Sequence, residues 1–114
     1  MRRELRLRRR KDFDNVFLKG RSWNNELLVL RSLPNDLPHN RYGFITSKRL
    51  GKAVVRNRTR RRLREAVRVL PLATSWDLVI SAKTKAAVAD FHQLRASVMD
   101  LLTRAKLLSA EAEA

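Results

Sequence analysis

The segment between Gly51 and Pro71 constrains the fold of this chain most, because it can form a helix with a single apolar face. At about 100° per residue, five of its apolar side chains and one threonine fall within one arc that must face a core. These residues are Val55, Thr59, Leu63, Ala66, Val67 and Leu70. The pattern predicts a helix from about Val54 to Leu70 that Pro71 stops, since proline has no backbone N–H to donate.

The rest of this helix surface is almost entirely basic. Asn57 lies among the arginines, and the only acid, Glu65, is expected to pair with Arg61 one turn earlier. Like charges four residues apart repel by about 0.2–0.5 kcal/mol per pair, and bound phosphate groups reverse that cost. Guanidinium groups also suit bidentate phosphate contact and base stacking better than ammonium groups do. The helix therefore predicts a surface that binds RNA or DNA. Its arginines are Arg56, Arg58, Arg60, Arg61, Arg62, Arg64 and Arg68.

The charge of the whole chain points to the same class of partner. It has 26 Lys+Arg against 11 Asp+Glu, a formal net charge of +15, which favours a polyanion such as nucleic acid first and an anionic membrane second. There is no cysteine, so disulfides and thiolate metal sites are excluded. No apolar run approaches the roughly 18 residues of a membrane span, and no apolar segment follows the basic N-terminus. We therefore expect a cytoplasmic protein with no membrane partner.

The 114 residues suit one domain, 1–114, with a basic arm over about 1–10, a folded body over about 11–108 and a disordered tail over 109–114. The arm is expected to be extended or loosely ordered and to order on binding. Apolar spacing predicts a short helix that ends at Gly20 and a last helix from Asp90 to about Ala105. Strands are predicted over 26–33, 41–48 and 76–82, with a short strand or turn over 21–25. This order of elements is typical of an α+β sandwich.

Several side chains allow two interpretations. Phe13 and Phe17 are core residues by spacing alone, although partly exposed aromatic rings also stack on bases. Asn57 is either a helix cap or a hydrogen-bonding group at an RNA surface, and the two are compatible. We interpret Trp23 and Trp76 as core residues. The two histidines, His39 and His92, lack ligand-like spacing, and the scattered acids suggest no catalytic pair.

Residues 41–68 resemble the signature region of the bacterial ribonuclease P protein subunit. The matching motifs are Ser47-Lys48, Gly51-Lys52-Ala53-Val54, Arg56-Asn57-Arg58 and Arg64-Glu65. The N-terminal stretch resembles the opening helix of that family, with Phe13 and Phe17 at its paired aromatic positions and Gly20 after it. The resemblance covers about residues 5–108. It implies an α+β fold, a two-layer αβββαβα sandwich with a four-stranded sheet and a left-handed β-α-β crossover, similar to ribosomal protein domain 2.

The resemblance also implies a division of labour. In that family a large RNA with bound Mg²⁺ removes the 5′ leader of precursor tRNA, so no catalytic residue, metal or cofactor is expected in the protein itself. The implied contacts with ribonuclease P RNA are Arg56, Asn57, Arg58, Arg60, Arg61, Arg64 and Arg68. The implied leader cleft contains Phe13, Phe17, Lys48, Lys52 and Arg31. Arg31 stands where family members often have an aromatic residue, so contact there would be by cation–π or phosphate binding.

Two other functions remain open from sequence. A ribosomal protein or assembly factor on structured RNA would use the arginine helix equally well, and the RNA that co-purifies would discriminate it. A protein nuclease would need an acid–base or metal constellation that the sequence does not suggest, and metal-dependent cleavage by RNA-free protein would reveal it.

Overall fold

The computed structural model describes residues 2–108, which contain one four-stranded sheet in the order β1-β2-β4-β3. The strands are β1 (Arg21–Asn24), β2 (Leu28–Pro34), β3 (Arg41–Ile45) and β4 (Trp76–Ala82). Antiparallel pairing joins β1 to β2 and β2 to β4, whereas β3 runs parallel to β4. The parallel pair requires a crossover connection, and a helix supplies it.

Three α-helices lie within the described residues: α1 (Arg10–Lys19), α2 (Ala53–Arg68) and α3 (Phe91–Arg104). Short 3₁₀ turns occupy Arg3–Leu5, Lys48–Leu50 and Thr84–Val88. Because α2 connects β3 to β4, the element order is αβββαβα, and the predicted α+β fold with a four-stranded sheet is confirmed. The left hand of the crossover stays a prediction.

The two faces of the sheet carry different helices. Leu28, Leu30, Leu78 and Ile80 point to the main core, which α2 and α3 cover. Alternate residues of the same strands point the other way, where Val79 packs with Val16 of α1 and with the N-terminal arm. The short helix α1 therefore lies on the face opposite to α2 and α3, outside the two main layers.

The helix α2 buries the face that its sequence predicts. Leu63 and Ala66 are fully buried, Thr59, Val67 and Leu70 are buried, and Val55 is half-buried. The helix ends at Arg68, two residues earlier than predicted, and the Leu70 N–H donates to the Val67 carbonyl oxygen in a closing turn. At its start, Gly51 has φ +132° and ψ −157°, a conformation that glycine adopts without a Cβ clash.

Part of the basic arm is ordered against the sheet. Leu7 is 5% exposed within the α1 face of the sheet, and its N–H donates to the Tyr42 carbonyl oxygen at 2.8 Å. Arg6 forms a parallel bridge with Tyr42, so part of the arm continues the sheet beyond β3. Of the two predicted alternatives, extended or loosely ordered, the structure shows an extended backbone at Arg6, and the buried Leu7 side chain anchors this part of the arm. The predicted tail, 109–114, lies outside the described residues.

Two further sequence predictions can be compared with the structure. Trp23 and Trp76 are half-buried and pack against the main core, which confirms their interpretation. The strand predicted over 41–48 ends three residues early, at Ile45. Lys48, the last residue of the predicted strand, instead begins the 3₁₀ turn Lys48–Leu50. Within residues 2–108 no helix is both long and apolar enough to cross a membrane.

Candidate nucleic-acid interface

The arginines of α2 divide between two sides of the helix. Arg58 and Arg62 reach the 3₁₀ turn before α3, where Arg58 Nη2 donates to the Ala87 carbonyl oxygen at 3.3 Å and Arg62 Nη1 donates to the Ala89 carbonyl oxygen at 3.0 Å. Carbonyl groups in irregular turns need such donors when they leave water. Arg58, which the resemblance assigns to RNA contact, therefore also holds the fold together.

Arg60 is oriented by two neighbours. Its Nη1 donates to Thr46 Oγ1 at 2.9 Å, and its Nη2 donates to Asn57 Oδ1. Asn57 is exposed and lies inside α2, whose N-cap residue is Lys52. The helix-cap interpretation of Asn57 is therefore wrong, and its side chain instead fixes the direction of an arginine.

The acid of α2 pairs differently from its prediction. Glu65 Oε2 accepts from Arg68 Nη2 at 2.9 Å and from Arg68 Nε at 3.2 Å, whereas the sequence predicted Arg61 as its partner. The i, i+3 contact engages the guanidinium fork through two nitrogens, which favours it. In the described part of the chain, neither Arg61 nor Arg64 has an acidic group within 4.0 Å. Their charge is available to a polyanion.

Two guanidinium groups near the start of α2 carry buried nitrogen atoms. Within residues 2–108, Nε of Arg56 and Nε of Arg58 are buried and make no hydrogen bond. Both side chains are half-buried. Because its Nε atom is buried, the guanidinium group of Arg56 can turn its Nη1 and Nη2 atoms toward a partner in only a limited range of directions.

On the opposite face of the sheet, the two phenylalanines of α1 have different environments. Phe13 is half-buried and packs with the Leu7–Val16–Val79 group over Gly43, where an added Cβ would lie 2.7 Å from Cζ of the ring. Phe17 is 43% exposed. The close approach of Phe13 explains the glycine in β3, and Phe17 is the ring left open to solvent.

Arg31 brings a positive charge to Phe17. It lies on β2 in the row that faces α1, and its guanidinium carbon is 4.6 Å from the centroid of the Phe17 ring. This distance is within the range of cation–π contact. Arg31 and Phe17 therefore form one composite surface beside α1, with an aromatic plane and a cation together.

The two lysines of the implied cleft lie at the carboxyl end of β3. Lys48 opens the 3₁₀ turn after this strand and Lys52 is the N-cap residue of α2; both are exposed. Ile45, three residues before Lys48, packs against the α1 side of the sheet. The structure thus places the lysines on the chain segment that leaves this face and enters α2.

An ion-pair network that the sequence analysis missed fixes α1 to the sheet. Arg41 donates from Nε and Nη2 to the two carboxylate oxygens of Asp77, at 2.9 and 2.7 Å, and lies 3.4 Å from Asp12 of α1. Asn35 Nδ2 donates to Asp77 Oδ1 at 2.8 Å. The hydrogen bond to Asp77 raises the pKa of Arg41 above its ordinary value. A single acid within a strand, Asp77 in WDLVISA, was the available sequence signal.

Over residues 2–108, the two histidines lie in different parts of the fold and are not grouped with the acids as a metal site would require. His39 is half-buried, with Nε2 3.2 Å from the Glu4 carbonyl oxygen, and His92 is exposed beside Phe91. Among the residues that the structure describes, no three His, Asp or Glu side chains are grouped closely enough to hold a metal ion.

Comparison with known proteins agrees with this arrangement. The family model described as Ribonuclease P matches residues 1–106. The ribonuclease P protein component of Roseiflexus castenholzii is 48% identical over 108 residues, covering 92% of this chain and 88% of that protein. The corresponding protein of Dehalococcoides mccartyi is 39% identical, covering 96% and 91%.

Solved structures give the same result. The RNase P protein of Staphylococcus aureus superposes with a TM-score of 0.84 at 29% identity, covering 92% of this chain and 98% of that one. The RNase P protein of Thermotoga maritima gives 0.77 at 33% identity, covering 87% and 96%. The resemblance noted in the sequence is thereby confirmed. This chain belongs to the bacterial ribonuclease P protein family, the protein components of a tRNA-processing ribonuclease.

Proposed function

We propose that α2 binds the catalytic RNA of ribonuclease P while the surface beside α1 binds the 5′ leader of precursor tRNA. The RNA then performs the Mg²⁺-dependent cleavage, and the protein contributes no catalytic residue. One observation carries the proposal: among the described residues Arg61 and Arg64 have no acidic group within 4.0 Å, and α2 packs on the face of the sheet opposite to α1, which carries Phe17. Arg64 also lines a small pocket with Phe13 at the β3 edge of the sheet, so the two surfaces adjoin there and two RNA molecules can bind side by side.

The physical role of α2 is to supply fixed positive charge beside crowded phosphates. Arg60, held by Thr46 and Asn57, keeps its direction before any RNA arrives, so little side-chain freedom is lost on binding. Each phosphate contact releases condensed cations from the RNA. Charge fixed by the protein substitutes for some of the Mg²⁺ that the RNA would otherwise need to fold.

The physical role of the α1 surface is to hold single-stranded RNA without reading its sequence. An exposed aromatic ring stacks on any base, and a nearby guanidinium contacts the adjacent phosphate. Phe17 and Arg31 supply this pair, and the half-buried Phe13 lies on the same face of the sheet, against Leu7, Val16 and Val79. Lys48 and Lys52 extend the positive charge toward α2. We place this activity in the cytoplasm, where precursor tRNA is made.

Reconstitution tests the proposal as a whole. The purified chain alone is expected to leave precursor tRNA uncut, and the catalytic RNA alone is expected to cut it only at high Mg²⁺. Adding the chain to that RNA should restore cleavage at low Mg²⁺, measured as the rate of leader release against Mg²⁺ concentration. Mixtures that stay inactive at every Mg²⁺ concentration would contradict the proposal, as would RNA-free cleavage that one carboxylate substitution abolishes. Sequencing of the co-purified RNA gives an independent readout, and ribosomal RNA alone would favour a ribosomal role.

Phe17→Ala tests the leader surface. We expect affinity of the holoenzyme for precursor tRNA to fall roughly 5- to 150-fold, because one base loses a stacking partner worth roughly 1–3 kcal/mol. The neighbouring Leu18→Ala, at an 83% exposed position of the same helix, is the matched control and should bind normally. Both variants should bind mature tRNA, which has no leader, as the unmodified chain does. An equal loss of affinity for mature tRNA would exclude the assigned role of Phe17.

A further inference from the structure

A cavity of about 740 Å³ lies between α2, the start of the N-terminal arm and the loop before β3. We call it the α2 cavity. Its volume falls within the roughly 300–1,000 Å³ typical of sites that bind small organic groups. Its floor combines aliphatic side chains with one aromatic ring: Leu5, Val67, Leu70, Leu72 and Tyr42. An apolar floor of this size suits a flat, weakly polar group such as a nucleobase.

The rim of the α2 cavity is positively charged. It carries four arginines and two glutamates, and each glutamate is engaged by a rim arginine: Glu4 lies 3.7 Å from Arg2, and Glu65 binds Arg68. Arg61 and Arg64 are the rim arginines without an acidic group within 4.0 Å among the described residues. The cavity therefore offers phosphate-binding groups directly above an apolar surface.

The aromatic part of the floor is held rigidly. Asn40 Nδ2 donates to the Ala73 carbonyl oxygen at 2.7 Å and lies 3.3 Å from the Tyr42 hydroxyl, while Asn40 Oδ1 accepts from the Trp76 N–H at 2.8 Å. The Tyr42 ring also stacks on Phe44, with centroids 6.4 Å apart. Burial raises the pKa of Tyr42, so the ring carries no negative charge that would repel a phosphate. The floor exists before a ligand arrives.

The position of the cavity identifies which RNA can reach it. Tyr42 and Gly43 are adjacent in β3, so their side chains point to opposite faces of the sheet. Gly43 faces Phe13 on the α1 side, and Tyr42 packs against the main core below α2. Because Arg61, Arg64 and Val67 of α2 line the cavity, we assign a nucleotide that enters it to the RNA that contacts α2.

We propose that the α2 cavity takes one unstacked nucleotide of the catalytic RNA, with its base on the apolar floor and its phosphate at Arg61 and Arg64. A duplex keeps its bases stacked and too deep in the helix to enter, so the nucleotide must be unpaired in the bound RNA. The inference rests on the proposed binding of that RNA by α2. It assigns to the arginine helix one anchoring nucleotide in addition to general phosphate contact.

Site-directed crosslinking tests which RNA occupies the cavity. The chain contains no cysteine, so Thr74→Cys at the exposed rim can carry a single azidophenacyl photocrosslinker. In the holoenzyme with precursor tRNA bound, we expect crosslinks to one nucleotide, or two adjacent ones, that are unpaired in the catalytic RNA. Met99→Cys on the exposed side of α3 is the control and should give no crosslink there. Crosslinks to the leader, to paired nucleotides or to scattered positions would overturn the inference.

Filling the cavity gives a second, independent readout. Leu5→Trp adds bulk to the floor without changing charge, and Met99→Trp adds the same bulk outside the cavity. We expect Leu5→Trp to weaken affinity for the catalytic RNA roughly 5- to 150-fold with an unchanged salt dependence, as for one lost stacked base. Met99→Trp should bind normally. Unchanged affinity in Leu5→Trp would overturn only the inference about the α2 cavity. Failure of the unmodified chain to bind this RNA would overturn the proposed function. If Leu5→Trp fails to fold, the crosslinks at Thr74 decide.

Discussion

Asp77→Ala is expected to lower the free energy of unfolding by about 3 kcal/mol. Asp77 is 4% exposed and accepts hydrogen bonds from Arg41 and Asn35, so the substitution removes the main acceptor of a partly buried guanidinium and one acceptor of a half-buried amide. Breaking a buried pair from one side costs about 3–5 kcal/mol, and the partial exposure of Arg41 favours the lower end. Thermal unfolding followed by circular dichroism should show the melting temperature fall by roughly 10–20 °C.

Asp12→Ala is the control for that result. Asp12 lies 3.4 Å from the same arginine but is more exposed than Asp77, and partly exposed ion pairs contribute less than about 1 kcal/mol. We therefore expect a small change in melting temperature. Equal destabilisation by the two substitutions would contradict the assignment of Asp77 as the centre of the network.

The double substitution of Arg61 and Arg64 by alanine is expected to weaken binding of the catalytic RNA roughly 100-fold. Each arginine offers a charge-assisted hydrogen bond worth about 1.5 kcal/mol to a phosphate. The slope of log affinity against log salt concentration should decrease by about 1.5, at about 0.7–0.9 per lost contact. Filter binding over a salt series measures both quantities. Stability should stay constant or rise slightly, because repulsion along α2 decreases.

The double substitution of Arg58 and Arg62 by alanine is the matched comparison, since it removes the same amount of charge from the same helix. Their replacement by alanine deprives the Ala87 and Ala89 carbonyl oxygens of donors, at a net cost of about 1 kcal/mol for each hydrogen bond. We expect this pair to lose more stability and less RNA affinity than the first. If the two double variants had the same stability and the same RNA affinity, the number of charges on α2 would alone determine RNA binding. The hydrogen bonds of Arg58 and Arg62 to carbonyl oxygens would then make no difference.

The main helices and strands were predictable because each repeats a simple pattern. The stretch WDLVISA predicted β4 with the bounds observed, and the apolar arc that includes Leu63 and Ala66 predicted the buried face of α2. The 3₁₀ turns were not predicted, since they depend on single contacts and not on repetition. The capping box of α3, in which Asp90 and Gln93 exchange hydrogen bonds, was present in the sequence as an available signal.

The candidate site was predicted less completely than the fold. A helical wheel separates basic from apolar positions, and it did so correctly, but it treats all the arginines on one face as equivalent. Which of them donate to the carbonyl oxygens of Ala87 and Ala89 depends on how α2 lies beside residues 27 to 29 positions away in the chain. The cavity floor likewise combines Leu5, Tyr42 and Leu72, which no local pattern connects.

The contact of the arm with Tyr42 bears on the entropy of assembly. Residues that become ordered only on association lose roughly 1–2 kcal/mol each in backbone freedom, which subtracts from affinity. Leu7 and Arg6 are already fixed against the sheet in the free chain. In the proposed complex the charges of their neighbours would approach the RNA from positions restricted in advance, and this would give affinity that a disordered segment of the same sequence would not provide.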